Sequence, residues 1–174
     1  MNYYSLNNKS NSATFKEAVI QGLASDKGLY FPEQITPLST DFFDSIENKS
    51  NEEIAFEILK QFIGNDIPND ELKDIIKETL CFDFPLIQIE ENVFSLELYH
   101  GPTMAFKDVG ARFMSRCLAY FNKGKNYHNT VLVATSGDTG GAVASGFLGI
   151  KGVQVVILYP SGKVSDIQER QLTT

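Results

Sequence analysis

Cysteine is scarce in this sequence: only Cys81 and Cys117 occur in 174 residues. Cys117 falls on the apolar face of a predicted helix, which reads as a buried reduced thiol and fits a reducing cytosol. Basic residues are outnumbered, 15 Lys and Arg against 22 Asp and Glu, for a formal net charge of -7 and a pI near 4.8. Nucleic acids and anionic membranes select clustered Lys and Arg, so neither is an expected partner, and any bound anion must be met locally. The cluster Lys123 to Lys125 reads as a solvated turn rather than a phosphate track. Long apolar runs are missing too. The longest, VQVVILY, falls far short of the ~20 residues a membrane helix needs. The opening MNYYSLNNKSNS is polar without an apolar core segment, so no signal peptide is expected. Internal repeats and low-complexity stretches are absent as well. These absences place the expected protein in the cytoplasm with a small-molecule partner, and no metal site is expected.

What is present suits a soluble α/β protein of one or two domains, with a hydrophobic fraction of 43%. TFKEAVIQGLA from Thr14 to Ala24 puts Phe15, Ala18, Val19 and Leu23 on one helix face, and a turn follows. A second helix is expected from Ser50, where Ser50 and Glu53 match a capping box and Ile54, Ile58, Leu59, Phe62 and Ile63 recur at helical spacing. Gly64 and Pro68 end it. A third runs from about Asp70 to Leu80, with Leu72, Ile75, Ile76 and Leu80 apolar. Residues 1–84 therefore read as a mostly helical module.

Residues 85–174 read as part of an α/β lobe. LIQIE and VFSLELY form a hairpin about Glu91 and Asn92. A regular helix face follows, made of Phe106, Val109, Gly110, Phe113, Met114, Cys117, Leu118 and Phe121. TVLVA is expected as a buried strand, then a Ser/Gly/Asp/Thr loop, a small-residue helix from about Ala142, and VQVVILY as a second strand. That is one βαβ unit with parallel strands. Ala142 to Gly146 would let its helix approach the sheet. Two strands and one crossover do not bury both faces of a parallel sheet, and ERQLTT looks like the start of a further helix, so the expectation is a lobe continued elsewhere.

Lys107 falls in the first turn of the helix that follows HGPTMAF. There it meets the positive end of the helix dipole, which disfavours an ammonium and favours a nucleophilic amine. An exposed lysine whose stem covers the helix is the plainer alternative. Thr135, Ser136, Gly137, Asp138, Thr139, Gly140 and Gly141 lie between a strand end and a helix start, where ligands gather in open α/β sheets and free N–H groups cradle anions. The glycine spacing does not fit G-x-G-x-x-G, no Gly-Lys-Ser/Thr follows for a Walker loop, and Ala134 replaces the leading glycine of a nucleophile elbow. The Asp-Thr-Gly triplet also occurs in aspartic proteases, but those are all-β. Tyr159 to Lys163 form a second strand-end loop, either a solvated turn or a contact for a substrate phosphate.

The runs LELYHGPTMAFKD, ATSGDTGGAV and VVILYPSGKVSDIQE closely resemble threonine synthase, and QGLASDKGLYFPEQI resembles the N-terminal segment of that family. The resemblance implies a fold-type II pyridoxal-phosphate enzyme, a lyase of threonine biosynthesis that converts O-phosphohomoserine and water to threonine and phosphate. It implies that Lys107 carries pyridoxal 5'-phosphate as a Schiff base and moves the protons, with Phe106 and Asp138 as further cofactor contacts. It also implies that Thr135, Ser136, Gly137, Asp138, Thr139 and Gly140 hold the substrate carboxylate, with His100 and Thr103 lining the pocket. Related enzymes commonly have asparagine where Asp138 stands. Asp108 reads as a helix cap or as a residue that orients Lys107. Threonine dehydratases and cysteine synthases share the lysine and a similar loop, while HGPT and Asp138 fit threonine synthase better. A cofactor-free binding homologue is the non-enzyme alternative, against which the presence of Lys107 argues. The family's glycine-rich phosphate cup and its partner for the pyridine nitrogen are expected beyond Thr174.

Overall fold

The computed structural model describes residues 1–9, 11–125, 128–135 and 137–173. Its backbone contacts separate into two compact units, Met1–Glu78 and Thr79–Thr174.

The first unit is helical around a small sheet that has no local signature in the sequence. Strand β1 (Asn2–Ser5) pairs antiparallel with β2 (Ser12–Thr14) on one side and β3 (Tyr30–Pro32) on the other. Helix α1 (Phe15–Gln21) starts from a capping box in which Thr14 accepts from the Glu17 N–H and the Glu17 carboxylate accepts from the Thr14 N–H. It ends before Leu23, which is 51% exposed rather than part of the expected face. Helix α2 (Thr40–Asp44) and a short 3-10 turn precede α3 (Asn51–Ile63). The α3 cap is the Ser50–Glu53 box, and its stop is Gly64 at φ 61°, a conformation glycine adopts without strain. Helix α4 (Asn69–Thr79) contributes Leu72, Ile75 and Ile76 to a core completed by Ile63 and Ile67.

In the second unit β4 (Leu86–Glu90) and β5 (Val93–Leu96) form the expected antiparallel hairpin, with Asn92 at φ 60° in its turn. Helix α5 (Lys107–Asn122) follows, then β6 (Asn129–Ala134), α6 (Asp138–Phe147), β7 (Val153–Leu158) and α7 (Asp166–Thr173). Strands β6 and β7 are parallel and in register from Asn129 opposite Val153 to Ala134 opposite Leu158. Helix α6 packs against β7, α5 and α7.

Two expectations need correction here. Strand β6 is not buried: its residues alternate between half-buried and exposed, and Leu132 is 65% exposed, because helices cover one face of this sheet among the described residues. Helix α6 begins at Asp138, so Gly140 and Gly141 are helical rather than loop. Its small residues also serve helix packing: a Cβ on Gly146 would lie 3.0 Å from the backbone carbon of Ala111 in α5. Arg116 of α5 donates to the Gly146 carbonyl at 3.0 Å, across the same crossing. No helix among the described residues is long and apolar enough to cross a membrane.

Candidate active site

Lys107 is the first residue of α5 and is half-buried. The preceding Phe106 occupies the N-cap position but supplies no side-chain cap. Asp108, 1% exposed, reaches back across the turn instead. One carboxylate oxygen accepts the Thr103 N–H at 2.9 Å and the other accepts the Thr103 hydroxyl at 2.6 Å. Within that turn Met104 is at φ 56°, uncommon for a residue with a side chain, and its N–H donates to the Gly101 carbonyl at 3.0 Å.

Lys107, Phe106 and Asp138 line one cleft of about 420 Å³ together with Ser95, Leu96, Leu98, Tyr99, Met104 and Ala105. Its walls combine a hairpin strand, the clamped turn and the start of α6. That volume lies within the range of small-molecule sites, and the mix of aromatic and aliphatic walls with a few polar groups is typical of them. Among the described residues the Lys107 side-chain amine makes no hydrogen bond and no ion pair. A larger cleft of about 880 Å³ lies in the first unit between α2, α3 and α4. It is rimmed by interspersed carboxylates and lysines such as Glu53, Lys49 and Lys73, and it holds none of the residues singled out for chemistry. Chemistry, not size, selects the smaller cleft.

The strand-end loop is built by Thr135, whose hydroxyl accepts the Gly137 N–H at 3.2 Å and whose own N–H donates to Leu158 at 2.9 Å. Asp138 and Thr139 then open α6, where a helix leaves its first N–H groups without intrahelical acceptors. Ser136 lies outside the described residues. Gly140 is a packing position: a Cβ there would be 2.5 Å from Thr135 Cγ2 and 2.7 Å from Leu172 Cδ2.

His100 and Thr103 flank the cleft without lining it. Thr103 spends its hydroxyl on Asp108. His100 stacks on Tyr99 with ring centroids 4.8 Å apart, and its Nε2 is 2.7 Å from the Glu97 carboxylate. The hydrogen bond with His100, followed by one from Tyr99, holds the Glu97 carboxyl below its ordinary range, and the same carboxylate raises the Tyr99 phenol. No residue of the Tyr159 to Lys163 loop lines the cleft. Tyr159 donates instead to Glu169 at 3.1 Å.

Phe106 was expected on the buried face of α5, yet it is 62% exposed in the cleft. The face that α5 buries carries Cys117, Leu118 and Phe121 of the stripe read from sequence, but shares it with Asp108, Ala111, Ser115 and Asn122, so polar residues lie where apolar ones alone are expected. Sequence reasoning also missed Tyr99 and Met104 as cleft walls, and Gln168, whose amide donates to Asp138 at 3.3 Å. The LELYHGPTM run contains the first two, but nothing local marks a side chain that is completed by a distant helix.

The family profile described as Threonine synthase N terminus matches residues 2–80. The threonine synthase of Haemophilus influenzae is 42% identical over all of this chain, which covers 40% of that protein. Along its whole length this chain matches the N-terminal portion of threonine synthases. The crystal structure of the threonine synthase from Escherichia coli superposes with a TM-score of 0.91 at 41% identity, covering 99% of this chain and 40% of that one. The PLP-bound threonine synthase from Brucella melitensis gives a TM-score of 0.89 at 36% identity, covering 98% of this chain and 38% of that one. The chain thus spans about 40% of the length of the curated relatives it matches. Lys107 and the loop at Thr135 lie outside the profile match but inside these whole-chain similarities.

Proposed function

We propose that this protein acts as a threonine synthase, a carbon-oxygen lyase that converts O-phospho-L-homoserine and water to L-threonine and phosphate in the cytoplasm. The observation that carries the reading is the cleft itself: Lys107 and Asp138, from the starts of two different helices, line one small-molecule-sized space. The residues present fit pyridoxal phosphate. Among the described residues the Lys107 amine has no hydrogen-bond acceptor, and Tyr99, Phe106, Leu98 and Met104 supply flat and aliphatic walls for an aromatic ring. When bound, the cofactor supplies an electron sink for bonds broken at the substrate's amino-bearing carbon and its neighbour. The PLP named in the Brucella melitensis structure supports this choice.

Lys107 Nζ is the group to hold the cofactor aldehyde and to carry protons to and from the substrate carbons. The N–H groups that open α6, with Thr135, Gly137, Thr139 and Gly140 around them, are assigned to the substrate α-carboxylate, and the family resemblance assigns Ser136 to the same subsite. Asp138, tied to Gln168 and lining the cleft, is assigned to the cofactor rather than to the carboxylate, which its charge would repel. His100 and Thr103 support the rim, the first through Glu97 and the second through Asp108.

More than half of each relative's length has no counterpart in these 174 residues, which alone are expected to take up cofactor weakly and not to turn over. The test therefore uses the full-length protein that carries this sequence. Pyridoxal phosphate should produce a visible imine absorbance, and borohydride reduction with peptide mapping should place the label on Lys107. A label on another lysine, or none, refutes the assignment. Product analysis with O-phosphohomoserine, threonine and O-acetylserine then separates this activity from the dehydratase and cysteine synthase reactions.

A further inference from the structure

The start of α5 is held in an unusual way. No side chain caps it from the N-cap position. The carboxylate of Asp108, one residue beyond Lys107, closes a ring back to both the N–H and the hydroxyl of Thr103. The enclosed turn has no slack. A Cβ on Gly101 would run into Asp108 Oδ2 and would lie 2.9 Å from its Cβ. Met104 is held left-handed at φ 56°, and the Asp108 N–H donates to the Ala105 carbonyl at 3.0 Å. Met104, Ala105, Phe106 and Lys107, four consecutive cleft residues, all lie inside this closure.

We propose that Asp108 is a positioning residue: by binding Thr103 twice it fixes the 101–107 turn, and with it the direction from which Lys107 enters the cleft. The inference rests on Lys107 being the residue that captures the cofactor. In that capture the lysine nitrogen and the aldehyde carbon join as C=N, and one water leaves. Asp108 does not itself touch the reacting atoms. It is 1% exposed, both of its oxygens are engaged by Thr103, and it does not line the cleft. Its contribution is therefore geometric rather than one of charge.

Asparagine separates these two roles, because its carbonyl can accept the Thr103 N–H while its amide donates to a Thr103 hydroxyl turned to accept. The experiment compares full-length wild type with Asp108→Asn, Asp108→Ala and Thr103→Val. It reads pyridoxal phosphate uptake by absorbance titration, borohydride-trapped label at Lys107, and melting temperature without cofactor. Asp108→Ala should weaken uptake roughly tenfold or more, as expected for lost hydrogen bonds to a charged group. Thr103→Val, which removes one of the two bonds, should weaken it by about threefold to tenfold. Asp108→Asn should stay within about twofold of wild type.

Asp108→Asn as weak as Asp108→Ala overturns the proposal, because charge would then be what matters. Uptake per folded molecule unchanged in Asp108→Ala, with only the melting temperature lowered, also overturns it. Should Asp108→Ala not fold, Thr103→Val with wild-type uptake has the same force. A wild-type protein that takes up no label at all removes the cofactor assignment and this inference together, an outcome visible before any variant is made.

Discussion

Replacing Gly140 with alanine tests how closely α6 is seated on the strand end that carries the candidate carboxylate loop. Gly140 is buried in the first turn of α6, and a Cβ there would lie 2.5 Å from Thr135 Cγ2 and 2.7 Å from Leu172 Cδ2. Carbon atoms prefer to be about 3.5–4.0 Å apart. Leu172 can swing its flexible end away. Thr135 has less freedom, because its Cβ is branched and its hydroxyl already accepts the Gly137 N–H at 3.2 Å. Helix propensity acts in the opposite direction and favours alanine over glycine by about 1 kcal/mol. Overpacking of a well-filled site costs about 1–3 kcal/mol, so the clash should win by about 1 kcal/mol. At ~2–4 °C per kcal/mol for a chain of this length, Gly140→Ala should melt a few degrees below wild type. Gly110 in α5 is the control, since a Cβ there meets nothing within 4 Å. Gly110→Ala should gain propensity alone and melt a few degrees higher. Thermal unfolding of the three proteins in one buffer decides the matter. If Gly140→Ala melts at or above wild type, the packing argument is wrong.

Two further outcomes follow from buried and hydrogen-bonded groups. Cys117 is 0% exposed and burial pushes its thiol up to about 12, whereas Cys81 is exposed. A thiol reagent at about pH 8 should thus label one cysteine per native chain and two in denaturant; two labels on the native protein, counted by mass spectrometry, would contradict the buried placement. The Asp26 carboxyl is held below its ordinary range first by the Ser5 hydroxyl, then by the Gly28 N–H, with the Asn11 amide contributing. A depressed native pKa gives stability that is complete above the unfolded value of about 3.9 and fades as pH falls through the lower native value. Asp26→Asn should therefore melt below wild type at about pH 6 and converge with it towards about pH 2–3. A gap that stays constant across that window would rule this out.

The parts of the fold that were legible in the sequence are those fixed by local chemistry. Ser50 and Glu53 must be three residues apart to cap a helix start, and α3 begins where they say it does. Asn92 tolerates the left-handed turn that joins β4 to β5, and α5 starts at Lys107 after the HGPT turn. The parts that were not legible depend on partners distant in sequence. Tyr3 pairs with Ala13 and Pro32, and no run of four residues announces such a sheet. Ser5 is fully buried partly because Gly28 has no side chain: a Cβ there would run into the Ser5 hydroxyl oxygen. Gly140 and Gly141 read as loop because glycine is a poor helix former, yet both are helical, and at Gly140 the neighbours Thr135 and Leu172 leave no room for a side chain. Tertiary packing overrides propensity at such positions.

The same division applies to the candidate site. Lys107 and the loop at Thr135 could be picked out as separate motifs because each sits at a helix start, a position marked by turn residues. Of that loop only Asp138 shares the cleft with Lys107, and their meeting depends on how the helices that carry them are packed, which rests on residues outside both motifs. Gly146 lets α6 approach the backbone of Ala111, and Arg116 bonds across the crossing to the Gly146 carbonyl. Asp108 then fixes the turn from which α5 departs, and Gln168 of α7 ties down Asp138 at the start of α6. A reactive group placed on a helix is only as well aimed as the contacts that hold that helix. In this chain those contacts come from a glycine, a guanidinium, a buried carboxylate and an amide, which hydrophobic patterning passes over, so the sequence points to the candidate lysine more readily than to the residues that hold its helix.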